Sequence, residues 1–128
     1  MRCLLDSHAF LWFINGSERL GERARDVITE VENEILLSAA SLWEFAIKIS
    51  LGKLELEQPL STFVPRQLIA NEIGLLAIEP RHVFLLTDLP FHHRDPFDRL
   101  IIAQAMSEGL PILSGDGEFR KYPVQIIW

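Results

Sequence analysis

Four acidic residues stand where a chain of alternating strands and helices can gather chemistry. Asp6 closes the apolar run RCLL, Glu44 lies well beyond EILLS, Asp98 opens a helical stretch leading into a fourth apolar run, and Asp116 stands just past PILS. In open α/β sheets ligands bind outside the carboxyl ends of the strands, so these four can meet at one edge. Carboxylates brought together repel and raise one another's pKa, a conflict that a hard, oxygen-preferring divalent cation removes. The single cysteine, Cys3, excludes a cysteine cluster for a softer metal, which leaves Mg²⁺ or Mn²⁺ as the natural occupant. Such a centre can bind a phosphate oxygen, generate hydroxide from water and stabilise the departing oxygen of an in-line displacement, which suits phosphodiester hydrolysis. Glu18, Glu22, Glu30, Glu32, Glu34, Glu55, Glu57, Glu72 and Glu108 lack this placement and read as solvated charge.

Each of the four also admits a purely architectural role. Asp6 is a fitting N-cap for a helix opening at Ser7. Ser41-Leu-Trp-Glu44 has the form of a capping box. Asp95-Pro96-Phe97-Asp98 places a cap, a proline at the first helical position and an acid at the third. Asp116, between two glycines, suits a turn. Within that stretch Asp95 is primarily the cap, with a metal contact as its lesser role, and Asp98 is the ligand.

The elements that must position these residues follow from hydrophobic periodicity. Short apolar runs (RCLLD, EILLS, GLLAIE, LPILS, VQIIW) alternate with longer segments of helical period, the pattern of an α/β chain with a mostly parallel sheet of about five strands. Helices are expected over Ser7–Asn15, from Ser17 or Gly21 to about Asn33, and from Ser38 or Ser41 to Gly52. Further helices are expected over residues 60–73 around Pro65, briefly after Glu79-Pro80, and from Pro96 to Glu108, ended by Gly109. A last turn, Glu118 to Lys121, precedes the final strand. No repeat or linker divides the 128 residues, so residues 1–128 read as one domain.

Composition narrows the class. With 12 basic and 18 acidic side chains the formal charge is −6, which speaks against nucleic-acid binding through a broad basic face but leaves room for a metal-filled acidic pocket. The longest apolar run, Ala9 to Ile14, is far short of the roughly 20 residues of a membrane span. A soluble, cytoplasmic protein in a reducing compartment is expected, with no membrane partner.

Four stretches in order, LLDSHAFLW, SAASLWEFAIK, DPFDRLIIAQA and ILSGDGEF, resemble the PIN-domain ribonucleases, and among them the VapC-type toxins of toxin-antitoxin pairs. The resemblance covers nearly the whole chain. It implies a three-layer α/β/α fold, a divalent-metal-dependent endoribonuclease, a cognate antitoxin protein that blocks the site, and a homodimer. The family's acids fall on Asp6, Glu44, Asp98 and Asp116. Ser114 stands where a threonine is more usual and can bond a carboxylate or a metal-bound water. Gly115 and Gly117 are expected to loosen the loop around Asp116. Two other classes compete with the nuclease: a catalytically silent binding module on the same fold, and a phosphatase using an aspartyl nucleophile after the first strand. The phosphatase lacks its second aspartate, since His8 occupies that place.

Secondary candidates carry alternatives. Ser7 supports the site from the first helical position. Arg99, at the rim, is read either as a bidentate phosphate holder or as a salt-bridge partner of Asp95. His8 reads as a core or capping histidine, and His92-His93 as a loop that can touch substrate. Trp12, Phe13 and Trp43 read largely as core, with the surplus apolar surface of the first helix left for a second copy or an antitoxin. Lys48, Lys53, Arg94, Arg120 and Lys121 either guide RNA or are plain surface charge.

Overall fold

The apolar runs pair as a parallel five-stranded sheet in a computed structural model describing residues 1–128. Its strands are β1 (Arg2–Leu5), β2 (Glu34–Ser38), β3 (Ile73–Leu76), β4 (Ile112–Leu113) and β5 (Ile126–Ile127), in the order β3-β2-β1-β4-β5. Leu4 of the central strand registers with Leu36 on one side and Ile112 on the other. Six helices connect and cover the sheet: α1 (Ser7–Ile14), α2 (Glu22–Thr29), α3 (Ala39–Ser50), α4 (Leu60–Ala70), α5 (Pro80–Leu85) and α6 (Pro96–Glu108). Short 3-10 turns lie at Leu86–Asp88 and Gly117–Lys121. No helix is long and apolar enough to cross a membrane.

Side chains alternate across a strand, so each sheet face buries its own set. Cys3, Leu5, Leu37 and Leu113 point into a cluster with Ala9 and Phe10 of α1, Ala24 and Ile28 of α2 and Phe45 of α3. Leu4, Leu36 and Ile112 point the other way, onto Leu100, Ile101 and Ala105 of α6 and onto Phe119 and Tyr122. Helix α6 is buried continuously from Arg99 to Ala105. Its polar Gln104 is satisfied there, accepting from the Ser38 hydroxyl and donating to Ala77 O at 3.2 Å.

Two helix ends differ from the periodicity, and one of two expected starts is selected. Helix α2 stops at Thr29 rather than near Asn33, because the Asn33 amide turns back to donate to Val27 O at 2.9 Å and closes the end. Helix α3 starts at Ala39 with Ser38 as its cap, the Ser38 Oγ accepting from Ala40 N–H at 3.0 Å. Ser41 is therefore an interior residue, and the Ser41–Glu44 capping box does not form. Helix α4 ends at Ala70, with Pro65 inside it, because Glu72 adopts φ +53° and swings the chain directly into β3.

Candidate active site

Strand order reverses beside β1: the chain runs outward through β2 and β3, then returns to place β4 on the free side of β1. Crevices open at such switch points. Asp6 N–H donates to Leu113 O at 3.1 Å, which fixes the ends of β1 and β4 side by side. Asp6, Ser114 and Asp116 thus leave the sheet at neighbouring places. Asp6 Oδ1 accepts from Ala9 N–H at 2.6 Å and caps α1. Asp116 Oδ1 accepts from Glu118 N–H at 2.9 Å and caps the following 3-10 turn, while Ser114 Oγ accepts from Asp116 N–H at 3.0 Å. Capping and clustering are the same placement here, since a helix N-terminus that faces the crevice holds its capping acid there.

Asp98 reaches the cluster from the first turn of α6. Asp95 Oδ1 caps that helix, accepting from Phe97 N–H at 2.8 Å and Asp98 N–H at 3.1 Å. Between Asp98 and Asp116 sits the His93 imidazole, whose Nε2 lies 3.1 Å from Asp98 Oδ2 and 2.9 Å from Asp116 Oδ2. The ring is held from its other side: Nδ1 accepts from Asp95 N–H at 3.1 Å, which leaves the proton on Nε2 facing the two carboxylates. His93 N–H donates to the Tyr122 hydroxyl at 2.8 Å, and that hydroxyl donates to Pro90 O at 2.8 Å.

Glu44 approaches from α3 and is buried. The Ser7 hydroxyl, itself 2.9 Å from Ser41 Oγ, donates to Glu44 Oε1 at 2.8 Å, and Lys48 Nζ pairs with Glu44 Oε2 at 2.8 Å. Glu44 therefore sits at the margin of the cluster with both oxygens engaged, close enough that its charge is felt at Asp98.

The electrostatics suit a divalent cation. Burial pushes the Asp6 carboxyl above the ordinary aspartate range against the pull of Ser114 and Ala9 N–H, and the Asp116 charge adds to the rise. Asp98 is pushed up to about 7, first by burial and then by Asp95, with Glu44 and Asp6 adding to it and only His93 opposing. A cluster of oxygen donors that strains against its own ionisation is the donor set that a hard divalent ion satisfies. Asp6, Asp98 and Asp116 would hold the ion, and the His93 N–H between Asp98 and Asp116 already brings those two carboxylates to a common point.

Some candidates fall elsewhere. Arg99 neither faces the crevice nor pairs with Asp95: it is buried, and its guanidinium donates to Pro90 O at 2.8 Å, Leu89 O at 3.1 Å and Leu86 O at 3.3 Å. It clamps the 86–91 loop and lies 3.8 Å from the Phe91 ring centroid. A buried cation is cheapest where several carbonyls converge, and this loop supplies three. His8 is exposed rather than core, and Trp43 is 57% exposed. Glu108 is not free surface charge, for it bonds the buried His82 at 3.0 Å and also Arg81. His93 was the least visible member of the site; its one signal was a histidine just ahead of the capping aspartate.

Comparison with known proteins agrees with this geometry. A family model described as the PIN domain matches residues 3–125. Ribonuclease VapC22 of Mycobacterium tuberculosis is 29% identical over 120 residues, 93% of this chain and 90% of that protein. Ribonuclease VapC16 of the same organism is 40% identical over 58 residues, 45% of this chain and 41% of that protein. Among solved structures, the fold is similar to VapBC2 from Rickettsia felis bound to a promoter DNA fragment (TM-score 0.71, 14% identity, 98% of this chain and 97% of that one). It is also similar to FitAcB from Neisseria gonorrhoeae (TM-score 0.63, 19% identity, 98% and 96%).

Proposed function

The chain belongs to the PIN-domain family, and on that premise we propose that it is a metal-dependent endoribonuclease acting as the toxin of a toxin-antitoxin pair. The observation that carries the reading is the convergence of Asp6, Asp98 and Asp116 on one crevice, where burial first and neighbouring carboxylates second push Asp6 and Asp98 above the ordinary aspartate range. A bound Mg²⁺ or Mn²⁺ would supply charge neutralisation at the phosphate and Lewis acidity toward the oxygens that attack and depart. The protein's own part is to hold that charge in place. Asp6 and Asp116 are fixed by the N–H groups they cap, Asp98 by its position in the first turn of α6, and the Asp98–Asp116 pair by the shared His93 N–H. Glu44, held by Ser7 and Lys48, closes the side toward α3. A fold neighbour from the VapBC family of toxin-antitoxin systems, VapBC-5 of Mycobacterium tuberculosis, supports a protein antitoxin as the partner that blocks the crevice. A homodimer and a cytoplasmic setting complete the reading.

Incubating the protein with a panel of RNAs in Mg²⁺, Mn²⁺ or EDTA, beside Asp98→Asn, tests it. Cleavage should require metal and fall by at least about 100-fold in the variant. Cleavage indifferent to EDTA, or full activity in Asp98→Asn, would overturn the mechanism. Expression alone in a bacterium should arrest growth, and Asp6→Asn should relieve the arrest; equal arrest by both would sink the toxin role.

A further inference from the structure

Beside the acidic cluster lies a recess of about 500 Å³, lined by Asp6, His8, Trp12, Arg19, Asp116 and Trp128. We propose that it is a nucleobase-binding subsite that holds the base of the nucleotide next to the phosphodiester being cut. The proposal rests on the endoribonuclease reading for its substrate, and on separate residues for its chemistry.

The wall of the recess is an aromatic stack with one open end. The His8 ring lies against Trp12 with centroids 5.5 Å apart and planes 29° from parallel, and Trp12 meets Trp128 at 5.8 Å and 58°. His8 is exposed and lines the recess, so its ring is accessible to whatever enters. Bases of single-stranded RNA are bound by stacking on such faces, and the volume falls in the range of small-ligand pockets. Trp128 is seated by the backbone: a Cβ on Gly21 would come within 2.6 Å of its main chain, and one on Gly115 within 2.7 Å of its indole. Gly115 lies between Ser114 and Asp116, so the acidic loop packs directly against the aromatic wall.

Charge completes the match. Arg19 makes no ion pair and its guanidinium has no hydrogen-bond partner within the protein, whereas Arg2, Lys48, Arg81 and Lys121 are all paired with carboxylates. A free guanidinium facing an acidic cluster across an aromatic wall suits a strand of nucleotides, with one phosphate at the carboxylates, its base on the rings and a neighbouring phosphate at Arg19.

The test is indole fluorescence in the full chain carrying Trp43→Phe, so that the signal comes from Trp12 and Trp128. The protein is titrated in Mg²⁺ with AMP, GMP, CMP and UMP, none of which has a phosphodiester to cut. Ribose 5-phosphate serves as the base-less probe and N-acetylphenylalanine amide as a protein-like aromatic. At least one nucleotide should quench saturably and ribose 5-phosphate should not. His8→Ala, at an exposed position, should weaken that nucleotide by about fivefold or more. The nucleoside 3′,5′-bisphosphate of that base, which carries the neighbouring phosphate and still no phosphodiester, should bind more tightly than the monophosphate, and Arg19→Ala should remove the difference. The subsite falls if no nucleotide quenches, if ribose 5-phosphate quenches equally, or if His8→Ala binds as the parent does. It also falls if the phenylalanine amide quenches as strongly as any nucleotide, which would assign the recess to a protein side chain. RNA cleavage measured separately distinguishes this failure from failure of the nuclease reading, because the titration involves no cleavage.

Discussion

Asp98 keeps its proton up to about pH 7, and that single property ties metal binding to acidity. A cation must displace the proton, so Mg²⁺ affinity should strengthen as pH rises toward 7 and weaken by about tenfold for each unit below it. Isothermal titration across that range checks the slope; a flat profile would contradict Asp98 as ligand. The same shift acts on folding with the opposite sign from an ordinary salt-bridged aspartate. Between the usual 3.8 and about 7 the folded chain holds a proton that the unfolded chain has released, so metal-free stability should fall as pH rises through that window. Mg²⁺ should restore it at the upper end, as read by denaturant unfolding with and without the ion. The neighbours of Asp98 divide by role. Asp95→Asn can still cap α6 and should cost much less activity than Asp98→Asn. His93→Ala, which removes the N–H shared by Asp98 and Asp116, should weaken metal binding by roughly tenfold or more.

At the scale of elements, the loop from Leu86 to Asp95 depends on α6 for its shape, because the Arg99 guanidinium binds three of its carbonyls. Arg99→Met should destabilise the fold by about 2–4 kcal/mol, since it leaves those carbonyls without their charged donor, and denaturant melts will measure it. Activity should fall with it, because His93 hangs from the same loop. The sequence displayed the strands openly: five apolar runs of the right length could hardly be anything else in an alternating chain. It displayed Asp6, Asp98 and Asp116 equally well, because each follows a strand or opens a helix, whereas Glu44 lies inside α3. Pairings across the fold stayed hidden. Whether Ser38 or Ser41 caps α3 is decided by where β2 ends in the sheet. Likewise Arg99 is turned inward by carbonyls that only the folded loop brings together. Lys48 joins Glu44 instead of facing solvent. His93 becomes part of the site only because Tyr122, distant in sequence, fixes its backbone. Composition and period carry no information about such contacts.

Over the whole molecule, the excess negative charge and the pairing of its cations set how RNA can be bound. Of the twelve basic side chains, four are ion-paired with carboxylates and Arg99 is buried under its loop. The remaining seven are Arg19, Arg23, Arg25, Lys53, Arg66, Arg94 and Arg120, of which Arg23 and Arg25 share α2. A protein that grips a nucleic acid through many phosphate contacts loses affinity steeply with salt, because each contact releases counterions. A formal charge of −6, with only these seven basic side chains outside ion pairs and the Arg99 clamp, favours a weaker dependence. The chain's attraction for RNA should come from the cation held by Asp6, Asp98 and Asp116, from ring stacking, and from Arg19. The logarithm of RNA affinity should therefore fall only shallowly with the logarithm of monovalent salt, with a slope of about −1 to −2 for single strands at fixed Mg²⁺. Fluorescence anisotropy of a labelled RNA, with cleavage suppressed by substituting Ca²⁺ for Mg²⁺, measures that slope. Arg19→Ala should bring it closer to zero by somewhat less than one unit, as one lost phosphate contact requires. A steep slope unchanged by Arg19→Ala would mean that RNA is held by another surface, and that the acidic crevice is where it is cut but not where it is gripped.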